Sequence, residues 1–194
     1  MQDKEYLCEI TGEMYKVYFP PPKIIETDIG IKIESRSIFG SFINVGSRHF
    51  VINYDTFFKD DFFLFDVNGF APIIRNHTDF APEGVNVNFF KVSGNEIFLR
   101  TFERGVEAET GACGTGAIST APAAVLKKIA AVPVTVIPSS KKALFVDFRL
   151  EEGIVKDLSL QGDAEFVTES QVDIYSNSSI SFLISSIAPF TSPT

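Results

Sequence analysis

The segment 116–130 constrains the fold more than any other part of this chain, because it is typical of a helix and is apolar on nearly all sides. Its apolar residues are Ala117, Ile118, Ala121, Ala123, Ala124, Val125, Leu126, Ile129 and Ala130. A helix at the surface keeps one polar face, so a helix that is apolar all round is buried. Lys127 and Lys128 lie in its last turn, as the helix dipole prefers. Pro122 predicts either a kink or a regular helix that begins only near Thr120.

Most of the remaining chain is typical of short β-strands. Phenylalanine, of which the chain has 20, and β-branched residues recur in segments that Gly, Pro, Asn and Asp interrupt. We predict strands at 6–10, 14–19, 41–53, 84–93, 96–103, 132–137, 143–150, 153–161 and 165–174, and a second helix at 54–65 with Asp55 as its cap. Such regularly spaced strands favour a closed or strongly curled sheet. The expected fold class is α+β, with a barrel-like, mostly antiparallel sheet wrapped around the central helix.

The composition excludes several classes of partner. A net charge of −8 argues against a nucleic-acid partner, which needs a basic face, and against an anionic membrane surface. No stretch approaches the roughly 18 uninterrupted apolar residues of a membrane helix. The first residues lack the basic and then apolar pattern of an export signal. We therefore expect a cytoplasmic protein with a small-molecule substrate.

Cys113 stands in a glycine-rich run immediately before the helical segment, with Gly114 and Gly116 after it. Backbone N–H groups at a helix start are unpaired and lie at the positive end of the helix dipole, so they attract anions and lower the pKa of a thiol. With only one other cysteine, Cys8, the chain has no disulfide framework. We predict a functional thiol at Cys113; the alternative is a small buried apolar residue.

Five polar residues are further candidates, and each has an ordinary structural alternative. Glu103 could take an ammonium group or a thiol proton and Arg104 could hold a carboxylate, or the two could form a solvated ion pair. His49, taken alone, is more typical of a histidine at a strand end. Asn86 and Asn88 alternate with apolar residues, so one of them could face a ligand, although roles in a turn or ladder are commoner. The sequence shows no spaced Cys/His cluster for zinc, no phosphate-binding loop and no dinucleotide motif, so we predict no metal and no cofactor.

Four segments of the chain resemble diaminopimelate epimerase. The run 100–117, Arg-Thr-Phe-Glu-Arg-Gly-Val-Glu-Ala-Glu-Thr-Gly-Ala-Cys-Gly-Thr-Gly-Ala, is similar to the second cysteine motif of that family. Segment 44–51 resembles its Gly-Asn-Pro-His segment, and 80–89 resembles its Phe-Pro-x-Gly-Thr-Asn-Val-Asn-Phe segment. Segment 158–167 resembles its closing Leu-Thr-Gly-Pro-Ala strand. The order and spacing agree, and the resemblance covers about residues 10–174.

The resemblance implies a cofactor-free epimerase that converts LL-diaminopimelate to the meso isomer, in lysine and peptidoglycan synthesis. The family fold has two pseudo-symmetric halves, each a curled sheet around a helix, with the amino-acid substrate between the two helix starts. One cysteine thiolate removes the α-proton and a thiol on the opposite face returns one. By resemblance, Cys113 is one of these two acid–base residues, and His49 and Glu103 tune its thiol. The substrate's α-amino and α-carboxyl groups are assigned to Asn86, Glu103, Arg104, Gly114 and Thr115.

The chain departs from the family pattern in two places. The first cysteine motif, Gly-Asn-Gly-x-Arg-Cys, has no counterpart here, and Cys8 lacks the flanking glycines of that motif. Ser47 and Arg48 stand where the family has Asn-Pro, so the resemblance assigns Ser47 no role. We therefore expect residues 1–20 to be a strand pair at the junction with a missing first half, 21–165 to be the second epimerase-like domain, and 166–194 to be a returning strand and tail.

Three alternatives remain open for the function. The chain is an epimerase fragment or split product whose partner is a separate first-half polypeptide; or it is a non-catalytic remnant that binds an amino acid or a partner subunit. A third alternative is a related cofactor-free isomerase, of the phenazine-biosynthesis or proline-racemase kind. A homodimer that places two Cys113 thiols across one site is a further arrangement.

Overall fold

The computed structural model describes residues 5–164, which form eleven strands and three α-helices. The strands are β1 (Cys8–Thr11), β2 (Met14–Tyr18), β3 (Ile24–Ile33), β4 (Arg36–Asn44), β5 (Arg48–Asn53), β6 (Asn86–Ser93), β7 (Glu96–Glu103), β8 (Ala108–Thr110), β9 (Val134–Pro138), β10 (Leu144–Glu151) and β11 (Ile154–Asp163). The helices are α1 (Tyr54–Phe57), α2 (Val67–Arg75) and α3 (Gly114–Leu126), and a 3₁₀ turn spans Thr78–Phe80. The strand predicted at 165–174 and the returning strand and tail at 166–194 lie outside the described residues.

All eleven strands join one sheet in the order β1-β2-β11-β10-β9-β7-β6-β5-β4-β3, and β8 pairs with β7 beside this path. The ladders are antiparallel except for two parallel pairs, β5 with β6 and β7 with β9. Within the part of the chain that the structure describes, no ladder joins β1 to β3, so the curled sheet is open. The mostly antiparallel α+β class that the sequence predicts is confirmed.

Helix α3 lies inside the curl of the sheet, where it packs against β4 to β7 and β9 to β11. Its nine consecutive residues 116–124 are all buried. This confirms the enclosed helix that its apolar composition predicts. Most of these side chains are small, which lets strands approach the helix from several directions at once.

The ends of α3 differ from the prediction. The helix begins at Gly114 and continues through Pro122. The predicted alternative, in which the regular helix begins only near Thr120, is therefore wrong. The stabilisation that α3 gains from packing on all sides exceeds the cost of the one hydrogen bond that the proline nitrogen cannot donate. The helix ends at Leu126, where Lys128 takes a positive φ of 58° and Ile129 N–H donates to Ala124 O at 3.0 Å. This is a Schellman motif without its usual glycine.

The single strand predicted at 41–53 is wrong, because the chain turns between β4 and β5. Gly46 has a φ of 109° there, and its N–H donates to Asn44 Oδ1 at 2.9 Å. Strand β3 was not predicted at all. Its burial is irregular, because a register shift interrupts its pairing with β4 between Glu26 and Ile29.

The predicted helix at 54–65 is also largely wrong, since only its first turn is helical, as α1. Its cap is Asn53, which makes no side-chain cap hydrogen bond, and not Asp55. The phenylalanines that follow pack as a cluster of rings; Phe58 and Phe65 have centroids 4.8 Å apart. The longer helix, α2, was missed because it contains Pro72.

Two buried clusters cover the two faces of the sheet. One surrounds α3, and the other is rich in phenylalanine and lies under α2 and the 3₁₀ turn. Among the described residues, no helix combines the length and the apolar composition that crossing a membrane requires. The division into segments 1–20, 21–165 and 166–194 stays a prediction.

Candidate active site

Cys113 is the N-cap residue of α3, and its extended backbone (φ −131°) turns the chain from β8 into the helix. Its Sγ accepts a hydrogen bond from Gly116 N–H at 3.3 Å, as a capping oxygen would. The residue is only 6% exposed. The thiol therefore lies at the positive end of the helix, largely out of contact with water.

Burial first, and then the negative charge of Glu103, raise the pKa of the Cys113 thiol to about 11. Hydrogen bonds from Thr115 and Gly116 act in the opposite direction but do not outweigh the loss of solvent. The expectation that the helix start lowers this pKa is therefore wrong for the free site. Cys113 is a thiol at neutral pH.

The two glycines after Cys113 are required by packing. A Cβ on Gly116 would lie 3.0 Å from Thr101 Oγ1 and 3.2 Å from Cys113 Cβ. A Cβ on Gly114 would lie 3.1 Å from Leu160 Cδ2. No described residue accepts a hydrogen bond from the N–H groups of Gly114 and Thr115, so these groups are free to bind an anion.

His49 lies on β5 and is completely buried beside the start of α3. Its Nε2 lies 3.1 Å from Thr115 Oγ1, which in turn lies 3.5 Å from Cys113 Sγ. Burial, together with the charge of Arg104, lowers the pKa of His49 to about 4, against a hydrogen bond to Asn88 that raises it. The imidazole is therefore neutral at physiological pH and contacts the thiol only through Thr115.

Asn88 determines which ring nitrogen of His49 carries the proton. The Asn88 Nδ2 donates to Gly116 O at 3.1 Å, and a carbonyl can only accept, so the Oδ1 must face His49. This Oδ1 lies 3.3 Å from His49 Nδ1. The proton is consequently on Nδ1, and Nε2 presents its single lone pair to the site.

Glu103 ends β7, close to the thiol. Its Oε1 accepts a short hydrogen bond from Thr110 Oγ1 on β8. Its carboxylate also lies within hydrogen-bonding reach of the Cys113 thiol. The carboxylate is therefore held in place and can accept further donors, such as an ammonium group.

The side chain of Asn86 connects the backbone groups of Arg48 and Arg104. Asn86 Nδ2 donates to Arg48 O and its Oδ1 accepts from Arg104 N–H, both at 2.9 Å. The exposed Arg104 guanidinium donates to Glu83 O at 3.1 Å. Arg48 also donates to Glu83, at 2.9 Å from Oε2, so one turn positions both arginines at the edge of the site.

A family model described as diaminopimelate epimerase matches residues 41–155 of this chain. The chain belongs to the diaminopimelate epimerase family. It is 36% identical over 163 residues to the diaminopimelate epimerase of Aquifex aeolicus, and 32% identical over 178 residues to that of Methanocella arvoryzae. These matches cover 83% and 90% of this chain but 55% and 58% of the relatives. The chain thus spans about half the length of the curated relatives that it matches.

A solved structure supports the fold. The crystal structure of a probable proline racemase from Agrobacterium radiobacter matches 83% of this chain and 54% of its own, with a TM-score of 0.59 and 17% sequence identity. At this identity the match shows the fold alone. It agrees with the diaminopimelate-epimerase-like architecture that the sequence predicts.

The structure brings every residue predicted for the epimerase-like site to one end of α3. They are Cys113, Glu103, His49, Asn86, Arg104, Gly114 and Thr115. Two neighbours, Ser47 and Thr110, were not predicted as site residues, whereas Asn88 was weighed beside Asn86. Thr110 could not be found because β8 was not predicted, and Ser47 gave no signal because it occupies a position where the family has asparagine.

A cavity of about 750 Å³ lies elsewhere, at the opposite end of α3, and is lined by Leu126 and Lys127 among others. Between residues 5 and 164, no group of three His, Cys, Asp or Glu residues could hold a metal ion.

Proposed function

We propose that this chain supplies one half of a proton-transfer site that epimerises LL-diaminopimelate to the meso isomer. The observation that carries the proposal is the thiol of Cys113, buried at the start of an enclosed helix between free backbone N–H groups and Glu103. That arrangement suits an amino acid, because the N–H groups attract its carboxylate and the glutamate attracts its ammonium. Membership of the diaminopimelate epimerase family supports this particular amino acid. A cytoplasmic location is part of the same proposal.

Cys113 acts first as the acid in this proposal. Its pKa of about 11 keeps the proton on sulfur in the free site, so it can protonate an α-carbanion formed by a base on the opposite face. The resulting thiolate is stabilised by Gly116 N–H and by the Thr115 hydroxyl. A substrate ammonium near Glu103 offsets the charge that raises the thiol pKa, which makes the reverse step accessible.

His49 does not act as a base toward Cys113. The pKa values of about 4 for the imidazole and about 11 for the thiol make proton transfer between them strongly unfavourable. We assign to His49 the role of orienting Thr115, which lies between the two groups. Asn86 and Arg104 are proposed to bind the substrate's polar groups at the edge of the site.

Inversion requires a base on the other face of the α-carbon, which removes the α-proton that Cys113 replaces. Cys8 does not provide one, because it is exposed on the edge strand β1 and its Sγ lies 3.9 Å from Glu9 O. The second group is therefore proposed to come from a separate first-half polypeptide or from a second copy of this chain. A binder without catalytic activity is the competing function.

The test is incubation of the purified chain with LL- and with meso-diaminopimelate in deuterium oxide. A thiol that protonates the carbanion in the LL-to-meso direction faces the α-hydrogen at the D centre of the meso isomer, and removing and returning that hydrogen on one face retains configuration. We expect deuterium in the meso isomer by mass spectrometry, and its loss in Cys113→Ala. Cys8→Ala is the matched control and keeps the wild-type rate.

The other outcomes separate the alternatives. Formation of the meso isomer by this chain alone supports a site shared between two copies. Saturable binding by calorimetry without any exchange supports the non-catalytic binder. If the chain shows neither exchange nor binding, diaminopimelate is ruled out as a substrate of the isolated chain.

A further inference from the structure

Three hydrogen-bond donors surround one acceptor next to the proposed acid. His49 Nε2 lies 2.9 Å from Ser47 Oγ, 3.1 Å from Thr115 Oγ1 and 3.5 Å from Asn86 Nδ2. Because Asn88 keeps the proton on Nδ1, Nε2 has a single lone pair and accepts one good hydrogen bond at a time. The two hydroxyls therefore compete for it.

Ser47 has the shorter contact and a position fixed by the backbone. The turn before it is set by the hydrogen bond from Gly46 N–H to Asn44 Oδ1 and by the positive φ of Gly46. Val45 N–H donates to Ser47 O at 3.1 Å, which closes the turn at the start of β5. Ser47 thus points its hydroxyl at the lone pair from a rigid support.

Thr115 has a second acceptor within reach, since its Oγ1 lies 3.5 Å from Cys113 Sγ. If the Ser47 hydroxyl occupies His49 Nε2, the Thr115 proton is free to point at the sulfur. If Ser47 is absent, the same proton is drawn to the imidazole and the sulfur loses a donor. A thiolate needs such a donor more than a thiol does.

We propose that Ser47 is a positioning residue, which occupies the lone pair of His49 and so leaves the Thr115 hydroxyl free to stabilise the Cys113 thiolate. This inference deepens the proposed function, in which Cys113 passes between thiol and thiolate. It assigns a role to a residue whose hydroxyl is bonded to His49 and not to Cys113 or Gly114. In this arrangement His49 stays neutral, accepts the Ser47 hydrogen bond and transfers no proton.

The test measures thiolate formation at Cys113 and needs no catalysis. In a Cys8→Ser background, the rate of alkylation by iodoacetamide between pH 7 and 9 follows the thiolate fraction and is read by mass spectrometry. We expect Ser47→Ala to slow alkylation about three- to tenfold, the effect of one weakened hydrogen bond to a charged acceptor. Ser47→Thr retains the hydroxyl and is expected to restore most of the rate.

Thr115→Val separates positioning from a general effect on the fold. If Ser47 acts through Thr115, Ser47→Ala has no further effect once Thr115 is valine. Ser159→Ala is the matched control, because Ser159 is also a buried serine with one hydrogen bond, to Asp147 O at 3.2 Å, on β11. Circular dichroism and thermal melting confirm that each variant is folded.

An unchanged alkylation rate in folded Ser47→Ala overturns the inference, as does an equal slowing in the Thr115→Val background. A failure of deuterium exchange in the wild type counts against the proposed function and leaves this result unaffected. The two proposals therefore fail by different measurements.

Discussion

Burial determines the charge state of the functional groups at the level of single residues. Cys113 and His49 are both shielded from water, and in both cases the neutral form is favoured: the thiol pKa rises to about 11 and the imidazole pKa falls to about 4. The sequence placed both residues in the site, because the spacing of a family motif survives in it. It could not give their pKa values, which depend on the strands that cover them.

The pH dependence of stability tests the neutral His49. Its folded pKa, about 4, lies below the unfolded value of 6.5, so the unfolded chain binds more protons between these pH values. Stability contributed by the neutral imidazole is therefore present above pH 6.5 and is lost as pH falls toward 4, by about 3 kcal/mol. We expect urea unfolding to show this loss in the wild type and a flatter profile in His49→Gln.

His77→Gln is the matched control for this experiment. The second histidine caps a 3₁₀ turn at the surface, and its Nε2 is 3.0 Å from Lys32 O. This variant is expected to keep the wild-type slope below pH 6.5. An equal flattening in both variants would mean that His49 is not the group that titrates.

Among the secondary-structure elements, helix α3 was predicted more accurately than the strands around it. The apolar composition of α3 on all sides indicates a helix in spite of one proline, so α3 was found within a few residues of its ends. Strand β3 was missed because its bulge between Glu26 and Ile29 interrupts the alternation of buried and exposed residues. The region after α1 was misassigned because phenylalanine is equally compatible with a helix and with the ring cluster that forms there.

The enclosure of α3 predicts that it cannot accept a larger side chain. Ala121 is 0% exposed and lies in the middle of the helix. Ala121→Leu adds volume where strands pack closely, so we expect a loss of about 1–3 kcal/mol in the free energy of urea unfolding. Ala131→Leu, at an exposed position after the helix, is the control and is expected to change stability by less than about 0.5 kcal/mol. Equal effects would show that α3 has free space beside it.

At the level of the whole molecule, the open sheet divides the chain into well-buried and poorly buried parts. Strand β1 lies at one edge with all four of its residues exposed, and Ile10 is 65% exposed. Within residues 5–164, the ladder between β2 and β11 joins the hairpin β1–β2 to the rest of the sheet. A surface of this kind is where a partner polypeptide or a second copy would add apolar contacts, in keeping with a chain about half as long as its relatives.

Amide hydrogen exchange measures this division. Opening of the hairpin exposes little additional apolar surface, whereas opening of α3 exposes most of the main core, so their free energies of opening differ. We expect peptides from β1–β2 to exchange at least about tenfold faster than peptides from α3 by mass spectrometry at low protein concentration. Protection of β1–β2 that appears only as the concentration rises identifies a second copy of the chain as the cover. Protection equal to that of α3 at every concentration contradicts the prediction, because the hairpin would then be as stable as the core without any partner.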